Sequence, residues 1–357
     1  MARALKAFID CNALRKNLKL VRSLAPQAKI LAMVKANGYG HGIVHVARIL
    51  QTADALGVAC IEEAVELREA GVANRIVLME GFFEEQEIPD IIRLNLELVV
   101  HHTAHLKALA AFEDPLKIWI KINTGMNRLG FSIPEVVEVY HQLMNNLSLK
   151  IEGFLTHFAK ADEIDDPLNQ QQLEDFFKVI SHLPGTKSLA NSAAILSNKR
   201  AHADWVRPGI MLYGVSPFPN RYGALEGLST VMALRSALIA VQSLKAGDSI
   251  GYGGEFICQK PMKMGIVAVG YGDGYPRLAK TGTPVLVNNQ QSQLLGRVSM
   301  DMIAVDLSGQ PEAKVGDPVE LWGPNLPIEW VAEAIGTTAY ELMTGLSTRV
   351  PLELIDP

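Results

Sequence analysis

From Lys29 to Arg207 the chain repeats one pattern: a short continuous apolar run, then a longer stretch whose apolar residues recur at spacings of three and four. The runs are Ile30–Val34, Ala55–Ala59, Arg75–Leu78, Leu96–Val100, Ile118–Ile122, Ile151–Leu155, Ser188–Ala190 and Trp205–Arg207. Between them lie helical patterns such as Glu62–Ala70, Thr103–Phe112, Pro134–Met144 and Asn169–Leu183. Short uninterrupted runs read as strands buried on both faces, and the three/four spacing reads as helices that cover them. Eight strand–helix repeats predict a parallel (β/α)8 TIM-like barrel over residues 1–227. A doubly wound open sheet is the structural rival. After about Leu228 the texture changes to β-rich segments separated by Gly, Pro and Asn turns: Val231–Val241, Met264–Val269, Pro284–Asn288, Met302–Leu307 and Pro318–Trp322. Only Ile328–Ile335 and Tyr340–Thr344 keep a helical pattern there. Residues 228–357 therefore read as a second, mainly β domain. Lys6–Asp10 is surplus to the barrel and available to pair with that domain.

Composition narrows the function classes. Lys and Arg total 33 against 38 Asp and Glu, a formal charge of −5, which calls for neither nucleic acid nor an anionic membrane as partner. Cys11, Cys60 and Cys258 are scattered and form no CxxC pair, as expected of a reducing compartment. Charges interrupt the N-terminal segment, and no apolar run reaches membrane-spanning length, so the expected location is cytoplasmic. The His41/His45 pair lacks the glutamate of a HExxH site. His101, His102 and His105 have no acidic or cysteine ligand nearby in sequence, so no metal is expected.

The chemistry concentrates where strands end. The first run ends in Val34-Lys35-Ala36-Asn37-Gly38-Tyr39-Gly40-His41-Gly42. In a barrel, Lys35 stands at the carboxyl-terminal rim, where catalytic groups gather. A lysine there either reaches solvent or serves as an amine nucleophile able to form a Schiff base. Arg128 follows the fifth strand, His157 the sixth, and Asn191 and Ser192 the seventh. Arg207-Pro208-Gly209-Ile210 closes the eighth. Singly these read as a surface arginine, a core histidine, a helix cap and a turn. A barrel makes them converge on one rim. Loops after strands seven and eight commonly hold phosphate, and a reactive lysine beside a phosphate site points to pyridoxal 5′-phosphate (PLP).

At these residues the chain resembles the bacterial alanine racemases, over nearly its whole length. Val34–Gly42 is similar to the family's PLP-lysine signature, with Gly38 where alanine is usual. Lys121–Gly130, Thr156–Ala159, Asn191–Ala194, Asp204–Gly214, Gly251–Gly254, Gly270–Arg277, Gly296–Asp301 and Tyr340–Pro351 follow in the family's order. The resemblance implies a PLP-dependent isomerase that interconverts L- and D-alanine and supplies D-alanine for peptidoglycan. It implies Lys35 as the cofactor lysine and one of two bases, and Tyr252, contributed by the partner of a homodimer with shared active sites, as the other. Arg207 matches the arginine facing the pyridine nitrogen. His157 matches a link between Arg207 and Tyr252. Arg128 matches the arginine near the cofactor's phenolic oxygen and the substrate carboxylate.

Lys121, seven positions before Arg128, matches a lysine often carbamylated in the family. Asn123 stands where many relatives have aspartate, and Ser299 where cysteine is common. Tyr39, Ser192, Gly209, Ile210 and Tyr340 match the phosphate cradle. Met300 matches a backbone contact to the substrate carboxylate, and Tyr271 and Asp301 match the narrowing of substrate access. The rivals are a broader-specificity racemase, a PLP-dependent decarboxylase of the same architecture, and a non-catalytic PLP-binding barrel. Tyr252 argues against the last. Gly270–Gly274 superficially has the glycine pattern of a dinucleotide fingerprint but lies in a β-rich region without the strand–turn–helix unit that fingerprint needs.

Overall fold

The structure is a computed structural model and describes residues 3–110 and 113–356. Eight parallel strands close on themselves: Lys29–Met33, Ala55–Val58, Ile76–Leu78, Glu97–Val100, Leu116–Asn123, Leu149–Leu155, Thr186–Ser188 and Trp205–Val206. Each pairs with the next, and Trp205 and Val206 return to Lys29 and Ile30. The closed ring excludes the doubly wound sheet. The strands from Ile30 to Val100 are almost wholly buried, as parallel strands covered on both faces must be in either architecture; the pairing of Trp205 and Val206 back onto Lys29 and Ile30 is what makes this one a barrel.

Helices Cys11–Leu24, Ile43–Ile49, Ile61–Glu69, Ile88–Arg93, Thr103–Ala110, Val136–Met144, Pro167–Val179 and Ser192–Ser197 fall between or flank the strands. The helix expected over 103–112 is described to Ala110; Ala111 and Phe112 lie outside the described residues. At the amino-terminal end of the barrel, Arg75 bonds Glu97 through Nε (2.5 Å) and Nη2 (2.8 Å), and bonds Glu152 at 2.9 Å. The indole of Trp119 donates to Glu97 at 2.9 Å, and Arg75 lies over the Trp205 ring. Every oxygen of this buried carboxylate thus has a donor.

In the β unit, Met232–Leu244, Met262–Val267, Ile303–Asp306, Gln290–Leu295, Pro284–Val287 and Pro318–Trp322 form a closed antiparallel ring. The long strand Met232–Leu244 pairs with Pro318–Trp322 through its first half and with Met262–Val267 through its second. Register shifts at Leu234/Arg235 and Leu238/Ala240 let it turn between those partners. Lys6–Asp10 pairs antiparallel with residues 232–235 and parallel with Leu352–Ile355.

The compact units divide the chain differently from a cut at 227/228. One comprises residues 15–212 and 217–219; the other comprises 1–14, 213–216 and 220–357. The Glu329 carboxylate explains part of this: it accepts the N–H of Ser216 (3.0 Å) and of Gly223 (2.9 Å), anchoring the connector. Among the described residues, no helix is long and apolar enough to cross a membrane.

Candidate active site

The first barrel strand ends at Met33, and Lys35 opens a turn of opposite hand to an ordinary helix. Ala36 (φ 53°, ψ 54°), Asn37 (53°, 45°), Gly38 (61°, 43°), Tyr39 (φ 53°) and Gly40 (φ 80°) are consecutively left-handed. A non-glycine residue in that region costs about 1–2 kcal/mol, so the turn persists only because its surroundings over-determine it. Gly38 has a packing role as well: a Cβ there would lie 2.9 Å from Val46 Cγ2. The turn buries Tyr39 and directs its hydroxyl to the backbone of Gly209, where an added Cβ would lie 2.5 Å from it. Ser192 completes this corner; its Oγ accepts the N–H of Gly209 at 2.9 Å and of Met211 at 3.4 Å. Asn191 caps the short helix Ser192–Ser197 by accepting from Ala194 N–H. Ile210 is buried at the start of the turn Ile210–Tyr213. Tyr39, Ser192, Gly209 and Ile210 therefore sit together, and the absence of a side chain at Gly209 is what lets the Tyr39 hydroxyl come this close to its backbone.

A second cluster surrounds Lys121. Burial, then Arg207, Arg128 and Lys35, push its ammonium down to about 8, with Glu80 opposing. Lys35 faces Glu80 at 3.6 Å. Arg207 is almost fully buried and donates through Nη1 and Nη2 to Ser188 Oγ (2.7 Å), Thr156 O (2.5 Å), Leu189 O (3.1 Å) and His157 Nδ1 (3.3 Å). Burial lowers its pKa to about 10, so it stays cationic near neutrality. A guanidinium only donates, so Nδ1 of His157 accepts and the imidazole proton sits on Nε2. Burial, reinforced by Arg207, Arg128, Lys121 and Lys35, holds His157 well below the usual histidine range and hence neutral. Lys121, Arg128, Thr156 and His157 line one small cavity. The rim is thus a cationic cluster with the Glu80 carboxylate beside Lys35, a donor set suited to a phosphate-bearing cofactor and a carboxylate substrate.

Sequence reasoning missed several residues that build this rim. Gln172 is fully buried; its Nε2 donates to Thr124 Oγ1 (3.1 Å) and His157 O (3.0 Å), and its Oε1 accepts from Ala159 N–H (2.9 Å). It thereby ties the loop leading to Arg128 to the end of the sixth strand. Thr124 and Thr156 share a hydroxyl contact at 2.8 Å. Glu80, Ser188 and Glu63 were likewise unmarked. Polar residues on the buried face of a helix, as Asn169 and Gln172 are beside Leu173 and Phe176, were the one available signal.

The remaining expected residues belong to the β unit. Tyr252 is exposed, in a turn where Gly251, Gly253 and Gly254 all have positive φ. Tyr271 and Met300 lie on adjoining loops: Tyr271 N–H donates to Ser299 O (3.0 Å) and Gly272 N–H to Met300 O (2.8 Å). Asp301 pairs with Arg349 at 2.6 Å, and Arg349 also approaches the buried Asp273 at 3.4 Å. Tyr340 is on the helix Ala339–Thr344. Gly270–Gly274 forms a tight turn closed on Asp273, with no helix following it. The histidines 101 and 105 bond backbone carbonyls of Glu80 (2.8 Å) and Phe82 (3.1 Å). Among the described residues, no group of three or more His, Cys, Asp or Glu is arranged to hold a metal.

A closed barrel carrying a lysine and a cationic rim, followed by a β unit with a glycine-flanked tyrosine, defines a narrow class of two-unit enzymes. The family model for the alanine racemase N-terminal domain matches residues 9–217, and that for the alanine racemase C-terminal domain matches residues 231–354. The chain belongs to the alanine racemase family. An alanine racemase of Shewanella loihica is 48% identical over 348 residues, covering 97% of each chain. The crystal structure of the biosynthetic alanine racemase from Pseudomonas aeruginosa matches with a TM-score of 0.96 at 44% identity, over 99% of this chain and 100% of that one. That of the Bartonella henselae alanine racemase with covalently bound pyridoxal phosphate matches with a TM-score of 0.92 at 28% identity, over 99% and 100%.

Proposed function

We propose that the chain interconverts L- and D-alanine by a two-base route, with Lys35 and Tyr252 of the partner subunit on opposite sides of Cα. PLP-dependent alanine racemisation is the activity of the enzyme, in keeping with relatives that span its whole length. The observation that carries the residue assignment is the cationic rim: Lys35, Lys121, Arg128 and Arg207 around a neutral His157. PLP, when bound, supplies an electron sink that acidifies the Cα proton.

The chain's own groups do the rest. Tyr39, Ser192, the N–H groups near Gly209 and Ile210, and Tyr340 would hold the phosphate, remote from the reacting carbon, so binding energy orients the cofactor. Arg207 would face the ring nitrogen as a donor that keeps its proton, which limits the sink's strength and disfavours side reactions such as transamination. Arg128 and the backbone at Met300 would hold the substrate carboxylate, and Tyr271 and Asp301 would narrow access to small side chains. With L-alanine, Tyr252 Oη takes the α-proton from one face and Lys35 Nζ delivers a proton to the other; D-alanine uses the reverse order. His157, neutral and bonded to the Arg207 cation, is placed in this reading as the link between Arg207 and Tyr252. Inversion at one carbon without turning the substrate over requires such a pair of bases.

Lys121 fits a further role. With its pKa near 8, an appreciable fraction is neutral amine at neutral pH. That amine adds to carbon dioxide: an N–C bond forms, a proton leaves to water, and the resulting carbamate is anionic among Arg128, Arg207 and Lys35. Asn123 supplies no charge there, so the carbamate would be the anion that holds Arg128. Intact-protein mass spectrometry tests this: one added carbon dioxide, lost on acidification and absent in Lys121→Met, is expected.

The two-base route is tested by running the reaction in deuterated water from either enantiomer. Wild type should incorporate solvent deuterium into the product in both directions. Tyr252→Phe should lose racemisation yet still exchange the α-proton of D-alanine, which Lys35 takes, for solvent deuterium. Loss of both exchanges equally would remove the assignment of opposite faces.

A further inference from the structure

The left-handed turn that follows Lys35 begins with two backbone donors that the turn itself does not satisfy. Its internal bonds run from Gly38 N–H to Val34 O (2.8 Å), from Gly40 N–H to Ala36 O (2.9 Å) and from Gly42 N–H to Asn37 O (3.0 Å). The N–H groups of Ala36 and Asn37 instead both meet Glu63 Oε1, at 2.6 and 3.4 Å. The other oxygen, Oε2, accepts the N–H of Ala59 at 2.8 Å. Ala59 directly follows the second barrel strand, and Glu63 lies in the first turn of the helix Ile61–Glu69. One carboxylate therefore fastens the residue after Lys35 to the neighbouring strand end.

We propose that Glu63 is the positioning residue for Lys35, capping the start of its left-handed turn and fixing where the lysine leaves the barrel. The physical need is specific. A helical turn of either hand leaves its first N–H groups unpaired, and a carboxylate is the strongest acceptor for them. Ala36, Asn37 and Tyr39 are L-residues with no intrinsic preference for this hand, apart from a mild one in asparagine. Without an external anchor the segment would relax towards ordinary backbone angles and carry Lys35 with it. Asn37 contributes at the far side, its Oδ1 accepting the N–H of Ile43 at 2.9 Å, which starts the next helix. The turn is thus held at both ends by side-chain oxygens, and Glu63 holds the end that bears the lysine. The proposal rests on Lys35 being the cofactor lysine.

The test uses the holoenzyme of wild type, Glu63→Ala, Glu63→Gln and the neighbouring control Glu62→Gln. Hydrogen exchange is read by mass spectrometry on the peptide spanning residues 35–42, beside a control peptide from the fifth barrel strand. Glu63→Ala should expose the Ala36 and Asn37 amides, leave the control peptide protected, and lower kcat by about ten- to a hundredfold with KM for alanine nearly unchanged. Glu63→Gln, which keeps one carbonyl oxygen as acceptor, should recover part of both effects. Glu62→Gln should alter neither. Unchanged exchange at 35–42 in Glu63→Ala overturns the proposal, as does lost protection there with unchanged kcat. Equal loss of protection in both peptides of Glu63→Gln also overturns it, since that marks general destabilisation. Borohydride reduction followed by peptide mapping separates the two layers: cofactor fixed elsewhere than Lys35 defeats the lysine assignment while leaving the exchange result intact.

Discussion

The two ends of the barrel use charge in opposite ways. At the amino-terminal end, Arg75, Glu97 and Glu152 pair off, Trp119 donates to Glu97, and the Trp119 and Trp205 rings meet edge to face at 5.7 Å. At the carboxyl-terminal end, Lys35, Lys121, Arg128 and Arg207 gather around a buried histidine that is kept neutral, and Glu80 faces Lys35 and opposes the lowering at Lys121. A paired network holds its buried charges by giving each an opposite partner. An excess of one sign is costly to assemble and is retained where a ligand of the other sign will arrive. The first end is built for the barrel's integrity and the second for its chemistry.

Substitutions at each end should separate these roles. Lys35→Ala has the largest expected effect: racemisation falls at least about a thousandfold while the thermal midpoint stays near wild type, because both base and anchoring functions vanish together. Optical rotation and differential scanning calorimetry read the two quantities. Arg75→Met should do the reverse. Leaving Glu97 buried without its cation costs about 3 kcal/mol, lowering the thermal midpoint by roughly 6–12 °C with kcat within about twofold. Lys121→Met should lower kcat by about ten- to a hundredfold, the scale of one charge-assisted contact to Arg128. Any loss of kcat in Arg75→Met as large as in Lys121→Met would break the division between the ends.

The smallest effect is on pH dependence. Burial pushes His41 and His105 down to about 4 from 6.5. The unfolded chain therefore protonates these rings first as pH falls. Their stabilising contribution is complete above 6.5, declines as pH drops from 6.5 towards about 4, and is gone below that. Urea midpoints should fall over this window, and His105→Gln should flatten the slope. An unchanged slope would mean that carboxylates alone set the acid limit.

Legibility in the sequence followed the same division. Most of the barrel strands announced themselves as short apolar runs because they are largely buried on both faces; Thr186–Ser188 did not, being polar and only partly buried, and the run expected at Ser188–Ala190 shares only Ser188 with it. Gln290–Leu295 stayed hidden because four of its six residues are polar. Only the Asn288-Asn289 pair, both with positive φ, marks the tight hairpin before it. Lys35, Arg128, His157 and Arg207 were legible as strand-end polar residues. The left-handed turn was not, since nothing in Ala36-Asn37 demands that hand. Glu63, Glu80 and Gln172 were invisible for a related reason: each acts on a partner from a different βα unit, and that adjacency exists only after the barrel closes. Lys121 could be named from resemblance, whereas its lowered pKa arises from cations that meet it in space.

The most direct measurement follows the optical rotation of L-alanine with purified protein and PLP, beside Lys35→Ala and beside L-serine and L-lysine as substrates. The account predicts rapid loss of rotation, D-alanine as the product, weak action on the other two amino acids and no detectable rate in Lys35→Ala. Racemisation of alanine by Lys35→Ala at the wild-type rate would contradict it.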